Sequence, residues 1–274
     1  MMHSHKTMTT AMNPLITAIW SLLHILFTCS EWLAWLSRWC RQTVFHCLRI
    51  RSQFTVEKYH HFVRQSQTFV RQNMTQVTKV PVHLVVLLGL EEPDYRLLTQ
   101  LIFWSHAAGI RYISFYDHNG VIKRNHEQMV RYVNAAHLDD ADDICWTSEA
   151  PTKSESRPGR PTPTTVSFYS PVDGKQGLVQ LGRLVGESLR NRNLQISDVD
   201  IEFLNGRLQA AHNHIPDPDL ALYFGDICSP YGLLPWQIRL TEFLSLALRL
   251  RDVSVRHFMN CLLKFARCEQ RFGT

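Results

Sequence analysis

This sequence predicts an α/β fold, with a mostly parallel central sheet covered by helices on both faces. Two observations carry the reading. Residues 82–89, Val-His-Leu-Val-Val-Leu-Leu-Gly, are a nearly continuous apolar run, as a strand buried on both faces requires. From there to the C-terminus, short β-rich runs alternate with longer stretches of helical texture, which is the pattern of βαβ units. A third observation sets what precedes the sheet: residues 14–36 read PLITAIWSLLHILFTCSEWLAWL, apolar apart from His24 and Glu31 and a few small polar residues. The chain is therefore read in three parts. Residues 1–37 form a membrane anchor, 38–79 an amphipathic helical stalk, and 80–274 the α/β domain, with a disordered loop at 139–164.

A helix rises about 1.5 Å per residue, so roughly 20 residues cross a hydrocarbon core, and 14–36 predicts one transmembrane helix. Glu31 is costly at mid-bilayer, on the order of 3 kcal/mol. It sits off centre, where Trp32, Trp35 and Trp39 form an interfacial belt. Arg38, Arg41, Arg49 and Arg51 follow the segment and only Lys6 precedes it, which places the C-terminal side in the cytosol. A cleaved signal peptide would need a more basic start and a clearer small-residue site than Thr28-Cys29-Ser30. A helix lying in the interface is the other alternative, given the amphipathic look of 31–40. Between Arg38 and Lys79, apolar residues such as Val56, Tyr59, Val63, Val70 and Met74 recur at spacings of three, four and seven.

In the α/β domain, Pro93 opens a helix that runs through Ala108 with Leu97, Leu98, Leu101, Ile102 and Trp104 on its apolar side, and Gly109 ends it. Residues 112–116 form a second strand, and Asp117-His118-Asn119-Gly120 its turn. A helix follows over about 123–137. Residues 139–164 are acidic and then rich in Ser, Pro and Arg, without periodicity. A strand at 165–170, a helix at 174–191 and a further helix N-capped by Ser197 with Asp200 come next. Strands at 220–224 and 240–248 and an amphipathic helix at 253–270 complete the pattern.

Composition excludes several classes. The net charge of +5 over 274 residues is mild, and much of it flanks the apolar segment, so nucleic acid is not indicated. Seven scattered cysteines without a C-x-x-C pair indicate neither a disulfide framework nor a zinc site. Parallel sheets bind ligands at the carboxyl ends of their strands. The first such end here, Gly89-Leu90-Glu91-Glu92, has one glycine, no cation and two acids, and is a poor cradle for phosphate. His212-x-His214 with Asp217 and Asp219 can be drawn as a metal site, but histidines beside Pro-Asp turns ordinarily serve the turn. Asp117-His118 invites an acid/base reading, yet it lacks a third member and reads as turn chemistry. Trp236 and Tyr231 read as core or dimer contacts. No metal ligand is assigned to this chain.

The last residues, Cys268-Glu269-Gln270-Arg271-Phe272-Gly273-Thr274, offer a guanidinium and a glycine amide near the end. Arg presents a fork of donors suited to phosphate, and a Gly N–H approaches an anion without a Cβ in the way. Taken alone, such a tail reads as a frayed end.

Several motifs in order resemble the Nogo-B receptor family, the non-catalytic subunits of the heteromeric cis-prenyltransferase dehydrodolichyl diphosphate synthase. They are Pro81-x-His83, Tyr112-Ile113-Ser114-x-Tyr116-Asp117-His118-x-Gly120, Lys123-Arg124-Asn125, and Pro216-Asp217-Pro218-Asp219-Leu220. Leu233-Leu234-Pro235-Trp236-x-Ile238-Arg239-Leu240-Thr241-Glu242 and Cys268-Glu269-Gln270-Arg271-x-Gly273 complete the set. The resemblance covers 81–274 and implies a cis-prenyltransferase-like fold. It also implies a catalytic partner subunit, magnesium held mainly by that partner, and attachment to the endoplasmic reticulum membrane. It further implies that Arg271 and the Gly273 N–H reach the partner's active site and bind isopentenyl diphosphate. The product would be the polyprenyl diphosphate precursor of dolichol for glycosylation.

The departures matter equally. Catalytic members of this fold follow the first strand with an Asp-Gly-Asn-Arg-Arg type loop; counting from His83, the Asp position is Gly89 and no Arg pair follows. Their two later Arg positions fall on Tyr223 and Ser229, while Glu242 keeps a Glu position without its partners. The resemblance therefore implies a subunit with no catalytic residues of its own, inactive alone. The alternative is a membrane receptor or sterol-related binding protein using the same fold as an interaction module.

Overall fold

A computed structural model describes residues 14–136, 138–147, 162–224 and 229–268. The chain divides into two compact units, residues 1–58 and 59–274.

Helix α1, Pro14–Asn73, begins in the first unit. There Trp20, Leu22, Ile25, Phe27, Trp32 and Leu33 are all exposed. Among the described residues no helix is long and apolar enough to cross a membrane. The span expected over 14–36 lies within α1, and its side chains at 14–19, 34 and 35 lie outside the described residues. Thr28 and Ser30 turn their hydroxyls back onto the carbonyls of His24 and Phe27, each at 2.7 Å, so the helix itself satisfies them.

In the second unit, six strands form one sheet in the order β3-β4-β2-β1-β5-β6. They are β1 His83–Leu87, β2 Tyr112–Tyr116, β3 Ile144–Trp146, β4 Thr164–Tyr169, β5 Leu220–Phe224 and β6 Glu242–Leu246. Every pairing is parallel. The helices are α2 Tyr95–Ala107, α3 Val121–Arg124, α4 His126–Ala135, α5 Lys175–Arg190, α6 Ile201–Ala211 and α7 Val255–Arg267. Strand β1 is buried at all five positions, as its apolar run requires.

Alternation along the strands divides the core. Leu84 and Val86 join Ile113, Phe115, Leu220 and Leu222 in one large cluster with the buried sides of α2, α4 and α7. Val85, Leu87 and Ala221 face the other way and meet Tyr116, Tyr169, Leu233 and Leu234 in a small cluster. The expected helical cover is thus uneven. The second cluster is closed by the segment after β5, and α5 buries none of its residues.

The large cluster locks three helices together. Trp104 in α2 donates through Nε1 to Ser66 Oγ in α1 at 2.7 Å, and its ring lies 5.8 Å from that of Phe258 in α7. Asp94 caps α2 by accepting from the N–H groups of Arg96 and Leu97, and Ser254 caps α7 in a capping box with His257. For α6 the cap is Asp200, which accepts from Phe203 N at 2.7 Å, while Ser197 lies in a separate 3-10 turn. The loop expected at 139–164 also starts with structure. Asp139–Asp143 is a 3-10 turn and Ile-Cys-Trp forms the edge strand β3 on β4. Three β-prone residues beside an acidic run are too few to show periodicity. Residues 148–161 lie outside the described residues.

His83 stitches the centre of the sheet. It is 1 % exposed, with Nδ1 2.6 Å from the carbonyl of Pro216 and Nε2 2.7 Å from Ser114 Oγ. A carbonyl only accepts, so Nδ1 carries the proton and Nε2 accepts from the Ser114 hydroxyl. Burial pushes the imidazole pKa down to about 4, against the upward pull of Pro216 and Asp219. Between about pH 6.5 and 4, the unfolded state takes up a proton that the folded state refuses, so stability is full above that window and falls on acidification. The expected loss from this residue between pH 7 and pH 5 is about 2 kcal/mol. Urea midpoints of the wild type and His83→Asn at the two pH values check it. A wild-type pH dependence no steeper than the variant's would refute the assignment.

Candidate functional site

The chain leaves β1 towards β2 and β4 and returns on the other side to β5, so the order reverses between β1 and β5. In open parallel sheets that reversal makes a crevice at the carboxyl ends of the strands. Here the crevice is filled. Gly89 follows β1 with φ +63°, and a Cβ on it would lie 3.2 Å from Cε2 of Tyr231. Tyr116 at the end of β2 donates through its hydroxyl to the Tyr231 carbonyl at 2.6 Å. Burial, and then the charges of Asp117 and Asp173, push the Tyr116 pKa up to about 12, which keeps that proton in place. Leu233 and Leu234 are buried against Val85, Leu87 and Ala221. Tyr231 and Leu234 both take positive φ, of 48° and 21°. Non-glycine residues held this way cost on the order of 1 kcal/mol each, which the buried leucines offset.

The residues singled out in the sequence serve this closed arrangement. Ser229 Oγ accepts from Tyr231 N at 3.2 Å, and Tyr223 packs against the small cluster. The two positions where catalytic members carry Arg therefore help hold the plug. Glu91 accepts from Leu250 N at 2.6 Å, and Glu242 donates its N–H to the carbonyl of Asp219 at 2.9 Å. The Asp117 carboxylate accepts from the backbone N–H groups of Asn119, Val121 and Ile122, so it is committed to its turn rather than to acid/base work. Asp219 accepts from Val82 N at 2.6 Å and His83 N at 3.0 Å, which gives the Pro-Asp-Pro-Asp-Leu motif a structural duty. Trp236 donates to Asn205 Oδ1 at 2.5 Å, tying its turn to α6. His212 lies edge-on to Tyr169 with centroids 5.4 Å apart, and with His214, Asp217 and Asp219 it makes no three-ligand group among the described residues.

The described residues at this crevice do not fit a magnesium-bound diphosphate. Gly89 offers no carboxylate, Glu91 and Asp117 are engaged with backbone N–H groups, and Tyr231 occupies the space. Arg271 and Gly273 lie outside the described residues, which end at Cys268 just beyond α7. Two features were missed by sequence reasoning. The plug 230–234 was signalled only by the glycines Gly174 and Gly232, and a grouping of His106 with Asp140 and Asp143 had no sequence spacing to announce it.

The fold matches those of solved proteins with the cis-prenyltransferase fold. Lavandulyl diphosphate synthase from Lavandula x intermedia superposes with TM-score 0.53 at 14% identity, covering 71% of this chain and 98% of that one. A probable undecaprenyl diphosphate synthase from Campylobacter jejuni gives 0.51 at 16% identity, covering 72% and 100%. No protein-family profile matches. Among curated proteins, the mouse dehydrodolichyl diphosphate synthase complex subunit Nus1 is 34% identical over 208 residues, 74% of this chain and 69% of its own length. The human subunit is 30% identical over 295 aligned positions, 96% and 100%. The chain belongs to the Nus1 subunit family.

Gly174 makes the closest approach to the plug. A Cβ there would sit 2.0 Å from the Gly232 carbonyl oxygen, and the obstacle is backbone. Gly174→Ala is expected to destabilise by about 2 kcal/mol or more, because main chain must move. Thermal unfolding checks it, and an unchanged Tm would mean the plug is not seated there.

Proposed function

We propose that this protein is the non-catalytic subunit of a heteromeric cis-prenyltransferase, attached to the endoplasmic reticulum membrane. With a catalytic partner it condenses isopentenyl diphosphate onto farnesyl diphosphate to make the polyprenyl precursor of dolichol. Family membership supports the complex. The single observation that carries the non-catalytic role is the plug: Tyr231, Leu233 and Leu234 take up the crevice in which this fold would hold substrate. Phosphoryl leaving groups need positive charge or metal placed against them, and among the described residues Gly89, Glu91 and Tyr231 bring neither a cation nor a free carboxylate to it. The magnesium and the allylic substrate belong to the partner's site.

What this chain contributes is then a surface, a place and a tail. Val172 and Leu184, each more than half exposed, line with Leu181 and Leu208 an apolar groove between α5 and α6 suited to a protein partner. The exposed tryptophans and aliphatics of 20–33 suit membrane attachment, with residues 59–274 on the cytosolic side. By the family resemblance, Arg271 pairs with the diphosphate of isopentenyl diphosphate in the partner's site and Gly273 offers its N–H.

The test measures prenyl transfer with magnesium for this chain alone, the catalytic partner alone, the pair, and the pair carrying Arg271→Ala or Gly273→Pro. Activity confined to the pair, and falling about a hundredfold in each variant, is expected. Elongation by this chain alone would refute the non-catalytic role. A pair no better than the partner alone would refute the shared site and favour an interaction module.

A further inference from the structure

Away from the crevice, the C-terminal end of α2 meets the turn that leads into β3. His106 there is 2 % exposed. Its Nδ1 lies 3.1 Å from Thr164 Oγ1, and that hydroxyl donates to the carbonyl of Ile110 at 2.8 Å. A hydroxyl has one proton to give, so Nδ1 carries the hydrogen and donates to Thr164. Nε2 is left with a lone pair and, among the described residues, no hydrogen-bond partner. A ring nitrogen of His106 and one oxygen each of Asp140 and Asp143 lie within 4.8 Å of one another. With Nδ1 engaged, Nε2 is the nitrogen available to that group.

A lone pair beside two carboxylates is repulsive unless a cation lies among them. The carboxylate of Asp140 is also oriented from outside. One oxygen accepts from Arg71 at 2.5 Å and from Gln67 Nε2 at 3.0 Å, which leaves the other oxygen for a ligand.

We propose that His106, Asp140 and Asp143 form a structural site for a divalent transition-metal cation, with zinc the ion that one imidazole and two carboxylates favour. Zinc takes imidazole and carboxylate ligands at about 2.0–2.2 Å in a tetrahedron, with water in the remaining place. Adjacent ligands are then about 3.4 Å apart, so side-chain rotation of the two aspartates closes the group around the ion. The Nδ1–H to Thr164 bond is the outer contact that metal-bound histidines usually make, and it fixes the tautomer that exposes Nε2. The ion would join α2 to the 139–143 turn and, through Arg71 and Gln67, to α1. This site is independent of the prenyl-transfer reading.

The test uses the untagged full-length chain, stripped with a chelator and then dialysed against zinc chloride or magnesium chloride. Metal content, the visible spectrum of the cobalt-substituted protein and Tm are measured. His3 and His5 near the N-terminus also attract zinc, so variants decide the matter. Asp143→Asn lies on a partly exposed turn and keeps the fold, and His106→Asn tests the nitrogen ligand. About one zinc per chain, a tetrahedral cobalt spectrum and a Tm rise of about 5 °C with zinc but not magnesium are expected, all lost in both variants. Zinc retained equally by Asp143→Asn, no zinc-dependent Tm rise, or a His106 ring that titrates in NMR unaltered by zinc would each overturn the site.

Discussion

The sheet depends on what holds β1 in place between β2 and β5, and that is a buried histidine and a half-buried aspartate rather than the apolar run alone. His83 reaches Pro216 on one side and Ser114 on the other. Asp219 accepts two N–H groups at the start of β1, while its own backbone carbonyl takes the N–H of Glu242 at the start of β6. One short segment, 216–219, thus sets the register of four strands. Apolar packing cannot do this by itself, because a slip of one residue exchanges one buried side chain for another along an apolar strand. A buried donor that loses its acceptor costs about 1–3 kcal/mol, and that penalty fixes the register.

With the strands so placed, the crevice between β1 and β5 is a geometric consequence, and the segment after β5 decides its use. Filling it with Tyr231, Leu233 and Leu234 has a cost elsewhere. The segment that covers the second face of the sheet is short, so α5 has little to pack against and keeps its apolar side chains in water. Val172, Leu181, Leu184 and Leu208 line one open groove of about 550 Å³ between α5 and α6.

The fold was legible because parallel strands buried on both faces leave a plain apolar signal: 220–224 and 112–116 stand in the structure where the sequence placed them. The edge strand Ile144–Trp146 was not, because three residues beside an acidic run carry no period. In the site, the glycine at 89 was legible as the loss of a carboxylate. The Tyr231 plug was not, since a tyrosine in a Pro-Tyr-Gly turn carries no mark of what it covers. His106, Asp140 and Asp143 come together only because α2 and the turn before β3 are neighbours in space. Spacing along the chain could not announce them.

The magnitudes bear on how such a subunit works with a partner. Half-exposed side chains such as Val179, Leu184 and Ile201 each gain about 1 kcal/mol on full burial, half the value for burying one outright. Association costs about 4–15 kcal/mol in lost translational and rotational freedom. The apolar groove alone therefore cannot hold a permanent complex, and a much larger interface is needed, of the kind obligate assemblies bury. A tail that enters a partner's site places few atoms but strong, charge-assisted ones against a diphosphate. Its energy is realised only when substrate is bound. On the proposed function, apolar area would supply assembly and the tail catalysis, so the two would be separable by substitution: loss of apolar area would weaken the pair, while loss of the guanidinium would leave the pair intact and slow.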